Sequence, residues 1–107
     1  MIECKVVVKV RSSNNMVRTF YKFVHLPIVP RIGDTISFSM DGETVADSIV
    51  ACVLLRVGIA SPIVYMNDEC PDDNELDFEI EFWSGSRGFT EVVPHGKKKA
   101  NKATPEL

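Results

Sequence analysis

Leu26-Pro27-Ile28-Val29-Pro30-Arg31-Ile32-Gly33-Asp34-Thr35-Ile36-Ser37-Phe38 is the stretch on which the fold turns. Proline lacks a backbone N–H and fixes φ, so neither Pro27 nor Pro30 fits inside a central strand. Each also pushes the residue before it, Leu26 or Val29, towards extended geometry. The segment therefore reads as an extended crossing between two strands. Gly33 supplies a positive φ where a turn needs one, and Asp34 bonds its own local backbone. Beyond the turn, Ile36, Phe38 and Met40 alternate with Thr35, Ser37 and Ser39, the pattern of a half-buried strand.

The Pro30-x-x-Gly33-Asp34-x-Ile36 layout resembles the way many small bacterial and phage β-barrel proteins open their second half. The resemblance covers about a dozen residues. It implies a fold type and no activity.

Upstream, Ile2, Cys4, Val6, Val8 and Val10 alternate with Glu3, Lys5, Lys9 and Arg11, a strand with one face towards a core. Ser12-Ser13-Asn14-Asn15 is a turn by composition. Residues 16–26 return as a second strand, and the pair reads as an antiparallel hairpin. Phe20 and Val24 lie on one face of that strand and Val17, Tyr21 and Phe23 on the other. The sequence leaves the inward face open.

Downstream, Asp41-Gly42 is a strong turn dipeptide. Residues 43–57 read in two ways. As a strand, Val45, Ile49, Ala51, Val53, Leu55 and Val57 share one parity. As a helix, Ala46, Val50, Val53 and Val57 line one face, and Thr44-x-x-Asp47 makes a capping box. The β-branched residues favour the strand. A short strand follows at Ile63–Met66. Residues 76–83 alternate most clearly, with Leu76, Phe78, Ile80 and Phe82 expected inward and Asp77, Glu79 and Glu81 outward. A last short strand at Phe89–Val93 is stopped by Pro94. The expected fold is all-β, a small barrel or roll of six to seven mostly antiparallel strands, with α+β containing one helix at 43–57 as the alternative. Residues 1–94 form a single β-rich domain in this reading, and 95–107 a flexible basic tail. As core residues, Ile36 and Phe78 should each cost about 2–5 kcal/mol on change to Ala.

The 107 residues suit one domain, and at 45% hydrophobic they can bury a core. The longest apolar run, Ile49 to Leu55, falls far short of the ~20 residues that span a bilayer. Met1-Ile2-Glu3-Cys4-Lys5 lacks a signal peptide's layout, so a cytoplasmic protein is expected. The three cysteines have no metal-ligand spacing. Cys4 and Cys52 sit in apolar patterns and read as small core residues. Cys70 lies among carboxylates that disfavour its thiolate.

Net charge is −3, unevenly spread. Eight acids and no base fall within 67–81, whereas Lys97, Lys98, Lys99 and Lys102 crowd the end. No nucleophile elbow, phosphate-cradling loop or zinc motif is present, and His25 and His95 have no companions. The acids lack calcium-loop spacing. Neither metal nor cofactor is implied, and the chain reads as non-enzymatic. The leading expectation is a binding module acting through another protein, of a size that suits an accessory or phage-borne protein. Trp83 and Arg87, on a flexible turn, are the residue types that most often anchor interfaces. Outward parity would expose Trp83, although capping an open barrel end explains it equally well. Asp77, Glu79 and Glu81 would form an acidic row, either met by Lys5, Lys9 and Arg11 or facing a basic partner. The alternative is a nucleic-acid-binding barrel using Arg18, Lys22 and Arg31 with the lysine tail.

Overall fold

The computed structural model describes residues 1–40, 44–56, 58 and 61–92. Its first two strands, β1 (Ile2–Arg11) and β2 (Val17–Leu26), pair antiparallel from Ile2↔Leu26 to Arg11↔Val17. The turn between them closes with the Ser12 N–H donating to the Met16 carbonyl at 2.9 Å, and Asn15 takes a φ of 66°. Asn tolerates that left-handed geometry better than most residues.

The proline crossing follows. Pro30 is buried, and Gly33 turns with a φ of 93°. The Arg31 N–H donates to the Asp34 carboxylate at 2.8 Å and the Asp34 N–H to the Arg31 carbonyl at 3.0 Å, a local bracket of the kind Asp favours. The chain then enters β3 (Thr35–Met40), which pairs antiparallel with β4 (Thr44–Leu54). Residues 44–54 are thus strand, as their β-branched content favours. Their parity is not constant, because a bulge between Val50 and Cys52 resets it. Val50 is buried while Ile49 is 47% exposed, so the single apolar face expected for this strand is divided between both sides.

Next, β5 (Ile63–Met66) lies between β4 and β1, antiparallel to the former and parallel to the latter. A two-residue strand, β6 (Thr90–Glu91), pairs with β2. The six strands run in the order β3-β4-β5-β1-β2-β6, a curled half-barrel with β3 and β6 as its edges. The mostly β fold expected, a small barrel or roll of six to seven strands, is the one observed, with its sheet left open between the two edges. β3 and β6 are separated by the whole sheet and do not pair.

The clearest alternation in the sequence is not a strand. Residues 73–75 form a 3-10 turn, Leu76–Glu81 a short helix α1, and Phe82–Ser86 a wide π turn. Leu76, Ile80 and Trp83 follow one another at helical spacing and pack onto the sheet. Asp73, Glu75, Asp77 and Glu79 crowd the first turns, where the helix dipole favours negative charge. Phe78, expected in the core, is 72% exposed. The core lies between α1 with its flanking turns and the sheet face bearing Cys4, Val6, Val8, Val10, Phe20, Val50, Val64 and Met66. That face is the inner one below. Cys52, expected in the core, is exposed because the bulge turns it outward. Residues 95–107 lie outside the described residues. Among those described, no helix is long and apolar enough to cross a membrane.

Candidate functional site

On the inner face, Trp83 is 2% exposed and meets Phe38, Phe82 and Phe89 edge to face, with centroids 5.5, 5.3 and 5.1 Å away. Its indole N–H donates to the Glu79 carboxylate at 2.9 Å, which satisfies the one polar group of a buried indole. Arg87 is 4% exposed, and its guanidinium sits 4.2 Å from the centre of the Phe82 ring. The Arg87 carbonyl accepts from Lys22 Nζ at 2.9 Å. The Trp83/Arg87 pair expected at the surface is therefore interior. Trp83 takes the other expected role, filling the open side of the sheet. The sequence missed this because parity along 76–83 has meaning only in a strand.

The acidic row dissolves for the same reason. A helix keeps Asp77 and Glu81, four residues apart, on one face and turns Glu79 to the other. Glu79 turns to Trp83, while Asp77 faces the Arg18 side, where its charge helps hold the guanidinium protonated. Lys5, Lys9 and Arg11 do not meet them. Arg11 instead bonds Asp68 at 2.8 Å, and Lys5 lies 4.7 Å from the Tyr21 ring centre.

The basic residues of the nucleic-acid reading are also dispersed. Arg18 grips both oxygens of Glu91 at 2.7 Å, a bidentate pair that raises the Arg18 pKa and lowers that of Glu91. Lys22 is engaged by the Arg87 carbonyl. Arg31 precedes β3 beside Asp34, and β4, β5 and β1 separate it from β2. Lys97, Lys98, Lys99 and Lys102 lie outside the described residues.

Two arrangements went unseen in the sequence. One is a cleft of about 250 Å³ lined by Asp47, Glu69, Phe78, Glu79, Phe82 and Trp83, none of them basic. The Ser48 hydroxyl donates to Glu69 at 3.1 Å. Burial pushes the Glu69 pKa up, the Ser48 bond opposes this, and the nearby Glu79 charge adds to the rise. The three carboxylates come from positions 47, 69 and 79, so no sequence spacing announces the cleft.

The other is the outer face of the sheet. The register places Lys5 and Val7 of β1 opposite Phe23 and Tyr21 of β2, and opposite Ile63 and Tyr65 of β5. Cys52 and Leu54 continue the surface onto β4. Val7 and Ile63 are buried among these neighbours, whereas Phe23 is 48% exposed and meets Tyr21 edge to face at 6.1 Å. Cys52 and Leu54 are exposed on this face as well. Lys5, Lys9 and Arg11 give it cations, while most of the 67–81 acids lie on and around α1, across the sheet. The outer face was hidden because the inward side of 16–26 could not be chosen: both sides carry aromatics.

No family model, curated protein or solved structure matches this chain.

Proposed function

We propose that this chain is a non-enzymatic binding module that engages a partner protein through the outer face of its sheet. One observation carries the reading. Val7, Tyr21, Phe23, Ile63, Cys52 and Leu54 share a surface across β2, β1, β5 and β4, with Phe23 half-exposed on β2 and Lys5 beside it on β1. Contiguous surfaces of this kind are uncommon on isolated proteins, and aromatic residues at a desolvating centre dominate interface energetics. The surface replaces Trp83, Arg87 and the acidic row as the contact region.

The test uses the full chain, immobilised in nuclease-treated extract of its host, beside Phe23→Asp and Phe78→Asp. Both changes fall on exposed aromatics, on opposite sides of the molecule. A protein held by the wild type and by Phe78→Asp should be lost from Phe23→Asp. Once purified, it should bind Phe23→Asp about tenfold or more weakly. Equal retention by all three baits contradicts the reading. The lysines beside Tyr21 and Phe23 also suit single-stranded nucleic acid. Oligothymidine binding that falls steeply with salt, and falls again in Lys5→Ala and Lys9→Ala, would replace the protein reading.

A further inference from the structure

The strand β3 ends the sheet, and its ladder with β4 fixes which backbone groups face outward. In an antiparallel ladder, pairs that exchange both hydrogen bonds alternate with pairs that exchange none. Next to β3, the Val50 N–H donates to the Asp34 carbonyl at 2.8 Å. Counting by two from there, Ile36↔Ser48 and Phe38↔Ala46 carry the bonds to β4. Thr35, Ser37 and Ser39 therefore point their N–H and C=O groups away from β4. The Ile49 carbonyl agrees: opposite Thr35, it accepts from the Asn67 N–H at 2.8 Å, on its other side. Among the described residues, no backbone group takes up the Thr35, Ser37 and Ser39 groups.

Edge strands are normally guarded by a lysine, a proline, a bulge or a cover. Residues 35–40 have no charge and no proline, and their register with β4 is unbroken. The opposite edge, β6, is two residues long and carries the Arg18–Glu91 ion pair.

We propose that β3 pairs antiparallel with β3 of a second copy of this chain, across a twofold axis at Ser37. The register supports a second copy specifically. With Ser37 opposite Ser37, Thr35 falls opposite Ser39, and all the outward N–H and C=O groups of both strands are exchanged reciprocally. The same register sets Ile36 opposite Phe38 in both directions, on the inner face. Such β-branched–aromatic cross-strand pairs each add roughly 0.2–1 kcal/mol. They would extend the Phe38–Trp83–Phe89 cluster across the axis. The contact is isologous, so it closes at two copies and builds no fibre. It leaves the outer face free and does not depend on what that face binds.

The full chain should sediment with twice the 12.0 kDa of one chain at high concentration and dissociate on dilution. Ser37→Pro removes an outward N–H, which a folded edge strand tolerates, and should sediment as a single chain. Ser37→Ala keeps the N–H and should remain paired. Amide exchange in the wild type supplies a reading independent of any variant. Ile36 and Phe38 are slow in either state, whereas Thr35, Ser37 and Ser39 are slow only in the pair. A wild type of single-chain mass at every concentration overturns the proposal. So does a dimer in which the Thr35, Ser37 and Ser39 amides exchange fast, since its interface lies elsewhere.

Discussion

The fold shifts the pKa values of two glutamates, Glu69 and Glu91, in opposite directions. Burial raises the Glu69 pKa and Ser48 only partly offsets it, so the folded chain holds this proton more tightly than the unfolded one. Stability then falls as pH rises from the ordinary carboxylate range through the raised value. Glu91 is lowered by its bond with Arg18, so its contribution is complete above the ordinary range and disappears as pH falls through the lowered value. In thermal melts from acid to neutral pH, Glu69→Gln should raise Tm near neutrality, with the gain vanishing in acid. Glu91→Gln should lower Tm near neutrality, with that loss also vanishing in acid. The Glu91 effect should be small, as partly exposed ion pairs contribute little. A Glu69→Gln protein less stable than wild type at neutral pH would contradict the account of that carboxylate. Neither role is legible in the sequence, because Ser48 and Glu79 meet Glu69 only through the fold.

The strands β1, β2, β3 and β5 were legible as elements because period-two patterning and turn residues agree there, whereas the segment of β4 also fitted a helix and only its β-branched residues favoured the strand. Pro27, Pro30 and Gly33-Asp34 mark the crossing, and Ser12–Asn15 the hairpin. The segment 76–83 misled because its apolar residues satisfy two periods. Read by two, Leu76, Phe78, Ile80 and Phe82 share a face. Read as a helix, Leu76, Ile80 and Trp83 do. Eight acids in and before the segment weigh against a paired strand and suit a helix start, a bias that alternation alone does not register. The two readings separate by mutation. Ile80→Ala should cost about 1–2 kcal/mol, as a half-buried side chain against the core. Phe78→Ala should fall within about 0.5 kcal/mol of wild type, as an exposed side chain does. Equal, large losses in urea unfolding would restore the strand. The bulge at Val50–Cys52 was invisible for a related reason: a one-residue slip in parity leaves composition unchanged.

At the scale of the whole molecule, the chain covers one side of its sheet and leaves the other open. The helical segment and Trp83 supply the cover, and Tyr21, Phe23 and Lys5 border the open side. A closed barrel would have used the sheet itself as the cover; the strand lengths and turns suit a barrel or a roll alike, and so did not say how far the sheet curls. The sheet also sorts charge, with the 67–81 acids gathered mostly around the cover and Lys5 and Lys9 on the open face. This sidedness supports binding on the open face despite a net charge of −3. The cysteines report on it directly. Cys4 lies buried in the core, where burial first and the Glu3 charge second raise its thiol pKa. Cys70 is exposed in the loop after β5, and Cys52 is exposed on the outer face. The most direct measurement is a titration of the native thiols with Ellman's reagent, in wild type and in Cys52→Ser. Two thiols should react at once in the wild type and one in Cys52→Ser, with the last appearing only on denaturation. Equal numbers of reactive thiols in wild type and Cys52→Ser would mean that the face bearing Cys52 is covered, and would contradict the open sheet on which this account rests.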